Sequence, residues 1–318
     1  MLTRRRLLFT FVLFTCLGFG AQSAVVAATN ANGTVTTVVS FDPNQNQFPE
    51  GLAIDKQGNI YVGMYPTGQI WKITPDGEQS ILAILDVSGS VGGGLVGLAV
   101  DDEGDLYACD ASGRSPTHGI WQVDRNGATR LIAALDPAGF PNAIAVDRNG
   151  DLFVTDSYLG QIWKISRTGE AKVWLKDPLL LPVFAYGANG IEFDRGNLFA
   201  ANTDQGTILR IEPGDEEHPP HAEVFVESPL LVGADGIAFD VRHNLYVAID
   251  YQNTLVRISP DGEIRTLATA SNALDFPAST SFDQAKGERT FLFWTNFGVN
   301  LNPSLQKMDM GIPGVKLP

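Results

Sequence analysis

Four residues able to do the same chemistry recur at a nearly fixed interval: Glu50, Asn142, Asn189 and Asp235. Each opens an apolar segment that ends in aspartate, namely EGLAID (50–55), NAIAVD (142–147), NGIEFD (189–194) and DGIAFD (235–240). Two further copies, VGLAVD (96–101) and ASTSFD (278–283), open on Val96 and Ala278. Two carboxylates and two amides are hard oxygen donors of the kind calcium takes, with about 6–8 ligands at about 2.3–2.6 Å. Two negative charges also balance one divalent ion in a site of low dielectric. Val96 and Ala278 show that the position does not demand a polar residue. Four oxygen donors there point to a ligand rather than to capped strand ends or channel water.

The segments that position these residues are repeats, spaced by 46, 46, 47, 46 and 43 residues. A period of this length with four strands per unit predicts a β-propeller blade, hence an all-β, six-bladed propeller. In residues 140–170 the pattern reads as strand, Gly turn, strand, loop, strand, Gly turn. The third strands repeat as IWKITPDGE, IWQVDRNGA and IWKISRTGE, so Trp71, Trp121 and Trp163 share one position and pack blade on blade. Asp55, Asp101, Asp147, Asp194, Asp240 and Asp283 end the innermost strands and open turns. DDEGD (101–105) is acidic, but its equivalents recur as turns in every copy, and it lacks the twelve-residue calcium loop. The last copy offers only three strands, while GTVTTVVSFD (33–42) is a lone strand ahead of the first. That strand is expected to complete the sixth blade, since a propeller must bury its open edge. Residues 29–318 are then one domain.

In such a blade the first strand lines the channel, and the loop between strands two and three lies at the same mouth as its start. Glu50, Asn142, Asn189 and Asp235 therefore converge at one mouth of the channel. Around them the loops are expected to bring the rim residues Tyr65, Asp110, Asp156, Ser157, Asn202, Asp250, Tyr251 and Asn296.

At the start, MLTRRRLLFTFVLFTCLGFGAQSA has three arginines, an apolar run from Leu7 and small residues at Ala21, Ser23 and Ala24. It reads as a signal peptide spanning residues 1–28, cleaved between 23 and 28, and predicts a secreted or periplasmic protein. The apolar run is short for a spanning helix, so no stable membrane insertion is expected after cleavage. Arg4–Arg6 also resemble a twin-arginine export signal. Their loss leaves 19 basic against 36 acidic residues, shifting the net charge from −14 to −17. Such a surface repels nucleic acid and anionic membranes and is compatible with cations. One of the two cysteines leaves with the signal, so Cys109 has no intramolecular partner and reads as a small buried apolar residue. The fold must be held by its core, and a 44% hydrophobic composition supplies one. A monomer is expected.

PEGLAID (49–55), PNAIAVD (141–147), ANGIEFD (188–194) and ADGIAFD (234–240) resemble the metal-site motifs of the gluconolactonase, regucalcin and luciferin-regenerating-enzyme family. Its members are six-bladed propellers with a divalent metal in the channel, and the paraoxonases share their architecture. The resemblance covers the whole chain after the leader. It implies that Glu50, Asn189 and Asp235 are metal ligands, that Asn142 is a further ligand or a substrate contact, and that Asp235 is the general base. Calcium is the implied ion, with Zn2+, Mn2+ or Mg2+ as alternatives. The implied activity is hydrolysis of a lactone or related ester, with the metal polarising the carbonyl and Asp235, or Asp110, Asp156 or Asp250 at the rim, deprotonating water.

Two departures bear on the substrate. Sugar-lactonase members carry an arginine two residues before the position of Asn142, where this chain has Phe140, and the paraoxonase histidine dyad has no counterpart beyond the isolated His118. Phe140, Phe184, Tyr186 and Tyr251 make the mouth aromatic, which favours an apolar acyl or aryl ester over a bare sugar. The alternatives are a propeller that binds a small molecule, glycan or protein without catalysis, and a strictosidine-synthase-like propeller that needs no metal.

Overall fold

Period-two alternation interrupted by a turn every few residues makes each repeat an antiparallel meander, and the computed structural model shows six of them. Residues 33–89, 93–215 and 217–317 are described, so the segment read as an export signal lies outside them. Blades 1 to 5 each use four consecutive strands; their first strands are Pro49–Ile54, Leu95–Val100, Pro141–Val146, Ala188–Asp194 and Ala234–Phe239. Blade 6 runs Pro277–Phe282, Phe291–Asn296, Ser304–Asp309 and takes its outer strand, Thr36–Ser40, from the other end of the chain. The expected closing strand is thus in place. Consecutive first strands touch around the whole ring, the last meeting the first. None of the described residues forms an α-helix, and none forms a helix able to cross a membrane.

The core lies between blades. Leu52, Ile54, Val62 and Met64 of blade 1 pack on Phe293 and Leu305 of blade 6, together with Val39 of the closing strand. Phe41, just past that strand, meets Trp71 edge-on at 6.2 Å. The aspartates that end the first strands hold their own turns, as expected. Asp55 accepts from the Gln57 and Asn59 amides and from Tyr61 Oη, and Asp240 repeats the pattern with Arg242, Asn244 and Tyr246.

Every first strand carries a bulge at one place, between Pro49 and Leu52 in blade 1 and between Pro141 and Ile144 in blade 3, with equivalents in the other four. A bulge bends the strand and re-aims a side chain. The re-aimed residue is the ring residue: Glu50, Val96, Asn142, Asn189, Asp235 or Ala278.

Neighbouring blades close on each other at the next position in one of two ways. At Gly97 and Gly190 the backbones approach directly, and an added Cβ would stand 2.2 Å from the carbonyl oxygens of Asn142 and Asp235. Where Ala143 and Ser279 replace glycine, a threonine bridges the gap. Thr155 Oγ1 accepts from Ala143 N and donates to the Asn189 carbonyl at 2.7 Å; Thr295 does the same between Ser279 and the Glu50 carbonyl. The ring is therefore held by its own backbone.

The C-terminal tail lies against the far ends of the blades. Val315 N donates to the Phe239 carbonyl, Gln284 bonds to both Val315 and Leu317, and Leu317 packs against the apolar cluster of blades 1 and 2.

Candidate metal and active site

The two asparagines of the ring are clamped in the same way. Asn142 Nδ2 donates to Ser157 Oγ at 3.0 Å, and that hydroxyl donates to the Ala188 carbonyl. Asn189 Nδ2 donates to Thr203 Oγ1 at 3.0 Å, and Thr203 donates to the Ala234 carbonyl. With the nitrogen held by Thr203, the Asn189 oxygen is buried and without a partner. Glu50 Oε2 is buried and unpartnered too. Asn142, Asn189 and Asp235 are 5 to 7% exposed.

Ser157 and Thr203 stand one residue past the end of the second strand. The same position holds Tyr65 in blade 1, Ala111 in blade 2, Asp250 in blade 5 and Phe297 in blade 6. A carboxylate thus occupies in blade 5 the place from which hydroxyls hold the ring in blades 3 and 4. Its charge bears on both Asp235 and Glu50, and burial with these neighbours drives Asp250 well above the usual carboxylate range. Glu50 is driven up by burial and then by Asp235; Asp235 is driven up by burial, against a hydrogen bond from Asn189. Among the described residues no Lys or Arg contributes to any of the three. Carboxylates so placed must bind protons or a cation.

The other rim residues do different work. Asp110, Asp156 and Asn202 sit one register step earlier than Asp250, which turns them to the opposite face. Asp156 accepts from the amides of Phe140, Tyr158 and Leu159 and from Trp163 Nε1. Asn202 donates to the carbonyls of Leu179 and Leu181 and accepts from Gln205 N. Both hold loops. Asp110 is pushed up to about 6 by burial, with Asp86 rather than the ring as the charge acting on it. Tyr251 is half exposed beside Asp250. Cys109 is fully buried between blades 2 and 3, and burial pushes its thiol well up.

Counting could have separated the rim aspartates. From Leu106 to Asp110 is four residues, and from Leu245 to Asp250 is five. The pattern L-Y-A-C-D against L-Y-V-A-I-D carries the register step.

Among the described residues no three His, Cys, Asp or Glu form a metal-binding group, so a cation here would depend on amide oxygens as well as carboxylates. The donors fit that demand. Glu50 Oε2 and Asn189 Oδ1 are open acceptors, and Asp235 adds a second charge beside them.

A sequence-family profile described as strictosidine synthase-like, N-terminal, matches residues 38–73. Comparison with curated proteins returns no match. The fold is shared with a gluconolactonase of Xanthomonas campestris at 18% identity and TM-score 0.67, covering 91% of this chain and 93% of that one. A luciferin-regenerating enzyme follows at 12% identity and TM-score 0.67, covering 90% and 98%. A calcium-binding regucalcin of Agrobacterium tumefaciens stands at 16% identity and TM-score 0.63, covering 88% and 94%. These structural neighbours are the proteins whose motifs the sequence resembles, and identities this low establish the shared fold. Other propellers of similar shape carry the names of a streptogramin B lyase and an aldose sugar dehydrogenase, so shape alone selects no reaction.

Proposed function

We propose that this chain is an exported hydrolase of lactones or related esters that works with one divalent cation, calcium, in the mouth of its channel. The observation that supports it most is the pair of buried, unpartnered oxygens, Glu50 Oε2 and Asn189 Oδ1, beside carboxylates with no cationic neighbour among the described residues. Glu50, Asn189 and Asp235 would hold the ion, with Asn142 as a further ligand or substrate contact. All-oxygen donors favour calcium over zinc, and the presence of amides favours it over magnesium. When bound, the ion would supply Lewis-acid polarisation of a carbonyl and charge for the developing oxyanion.

The chain's own residues divide the remaining work. Asp235, as a ligand, gives up basicity. Asp250 stands next to it at the loop position that faces the ring, near enough for its charge to bear on Asp235, and is the carboxylate placed to take a proton from the attacking water. The Asn142–Ser157 and Asn189–Thr203 clamps hold both amide side chains in place before any ligand arrives.

The test is turnover of a lactone and ester panel by the purified protein in chelator and after calcium is restored. Calcium-dependent hydrolysis that Asp250→Asn lowers at saturating calcium is expected. Calcium binding without turnover of any member would leave a binding propeller instead.

A further inference from the structure

Two walls of aromatic rings face each other over the ring residues. On one side Phe297 of blade 6 stacks on Phe48 at 5.5 Å, meets Tyr65 at 5.8 Å and continues through Phe276 to Tyr251 of blade 5. On the other side Phe140, Tyr158 and Tyr186 of blades 3 and 4 form a triangle with centroids 4.9 to 5.7 Å apart. In a six-bladed ring, blades 6 and 1 lie opposite blades 3 and 4. The Tyr65 phenol is near enough to that of Tyr158 to act on it, and the Tyr186 phenol is near enough to those of Tyr65 and Tyr251. The second wall is fixed from below. Asp204 Oδ2 accepts from four consecutive amides, those of Val183, Phe184, Ala185 and Tyr186, at 2.6 to 3.1 Å. Phe184 projects from that fixed loop with 86% of its surface exposed.

Charge on this face has one sign. The loops of the mouth face hold one Lys or Arg, Arg114, against seven aspartates, whereas the turns of the opposite face mix eight Lys and Arg with a larger number of carboxylates. A one-signed mouth raises the local concentration of cations and repels anions. Aromatic walls give a planar group offset-stacked or edge contacts, and give a cation its ring faces.

We propose that the site takes esters or lactones bearing a flat aromatic group, neutral or cationic, seated between the two walls, and turns away anionic ones. The substrate class rests on the hydrolase reading; the seat for the aromatic group does not. The two are separated by measuring binding with compounds that cannot be hydrolysed. Calorimetry on the calcium-loaded full-length protein compares three lactams: a phenyl-substituted γ-lactam, its para-carboxyphenyl counterpart, and gluconolactam. The phenyl lactam is expected to bind most tightly. The carboxylate should weaken binding about tenfold at low salt, and less at high salt, since exposed charges are screened over about 8–10 Å. Tyr251→Ala, at a half-exposed position where folding is not at stake, should weaken the phenyl lactam about fivefold, the worth of a ring contact. Phe184→Ala should act in the same direction, and Val241→Ala on the opposite face should change nothing. Equal or tighter binding of gluconolactam, or indifference to both aromatic variants, overturns the proposal even if lactones are hydrolysed. Binding of the phenyl lactam with the expected losses upholds the aromatic seat even if no lactone is turned over.

Discussion

Asn189 gives its side-chain amide to Thr203 Oγ1 at 3.0 Å and leaves its oxygen buried and unpartnered. A buried polar atom without a partner costs about 1–3 kcal/mol. The Thr203 clamp maintains that cost by preventing the amide from turning over. An arrangement that holds an acceptor open in this way is one that awaits a donor or a cation, and it belongs to the ring backbone as much as to the side chains.

The backbone of the ring can be tested at Gly190. A methyl group there would press on the Asp235 carbonyl at 2.2 Å, and backbone cannot yield as a side-chain tip can. Gly190→Ala is expected to destabilise by about 1–3 kcal/mol, the usual cost of overpacking, and to weaken calcium binding through displaced Asp235. Chemical denaturation and calcium titration of the same variant check it. Unchanged values for both would show that the close approach is unimportant.

Ring closure can be tested at Phe41. The residue is 7% exposed and packs edge-on against Trp71, tying the closing strand to blade 1. Phe41→Ala should cost about 3–5 kcal/mol. Deleting residues 29–42 should expose the Ser304–Asp309 edge and cause aggregation. A truncated protein that stays monomeric with unchanged melting would contradict the role of this strand.

Two carboxylates away from the ring give a pH signature. Glu192 stands where the other blades have Ala53, Ala99, Ala145, Ala238 and Ser281. Burial pushes it up to about 7, and Asp110 up to about 6, both above their ordinary carboxylate values. A raised folded-state value means stability that is present in full at acid pH and lost as pH rises through 6 and 7. In chelator, melting temperature should fall from pH 5 to pH 8, and Glu192→Gln and Asp110→Asn should each flatten that fall. Variants that follow the parent's pH curve would show that neither group titrates there.

The ring, the blade count and the closing strand were legible in the sequence because six copies align almost without gaps, and period-two alternation leaves each first strand one way to face. The rim was legible only in part. LYACD, LFVTD and LYVAID all end in aspartate, but one extra residue before Asp250 turns it to the ring while Asp110 and Asp156 turn away. The Thr155 and Thr295 bridges and the facing aromatic walls join residues from different blades, and local periodicity says nothing about such pairs. The C-terminal tail carries no repeat at all.

Calcium titration of the chelator-treated protein, followed by calorimetry and melting, asks whether the ring holds an ion. One ion per chain is expected, with melting temperature rising as calcium is added, because an ion that binds only the folded state stabilises it by mass action. Glu50→Gln or Asp235→Asn removes one of the two compensating charges and should weaken binding at least about tenfold by the cost of an unbalanced ion. Val96→Ala, in the same ring but without a side-chain oxygen, should leave affinity as it was. A protein that binds no calcium, zinc, manganese or magnesium, and whose melting is indifferent to all four and to chelator, would contradict the account.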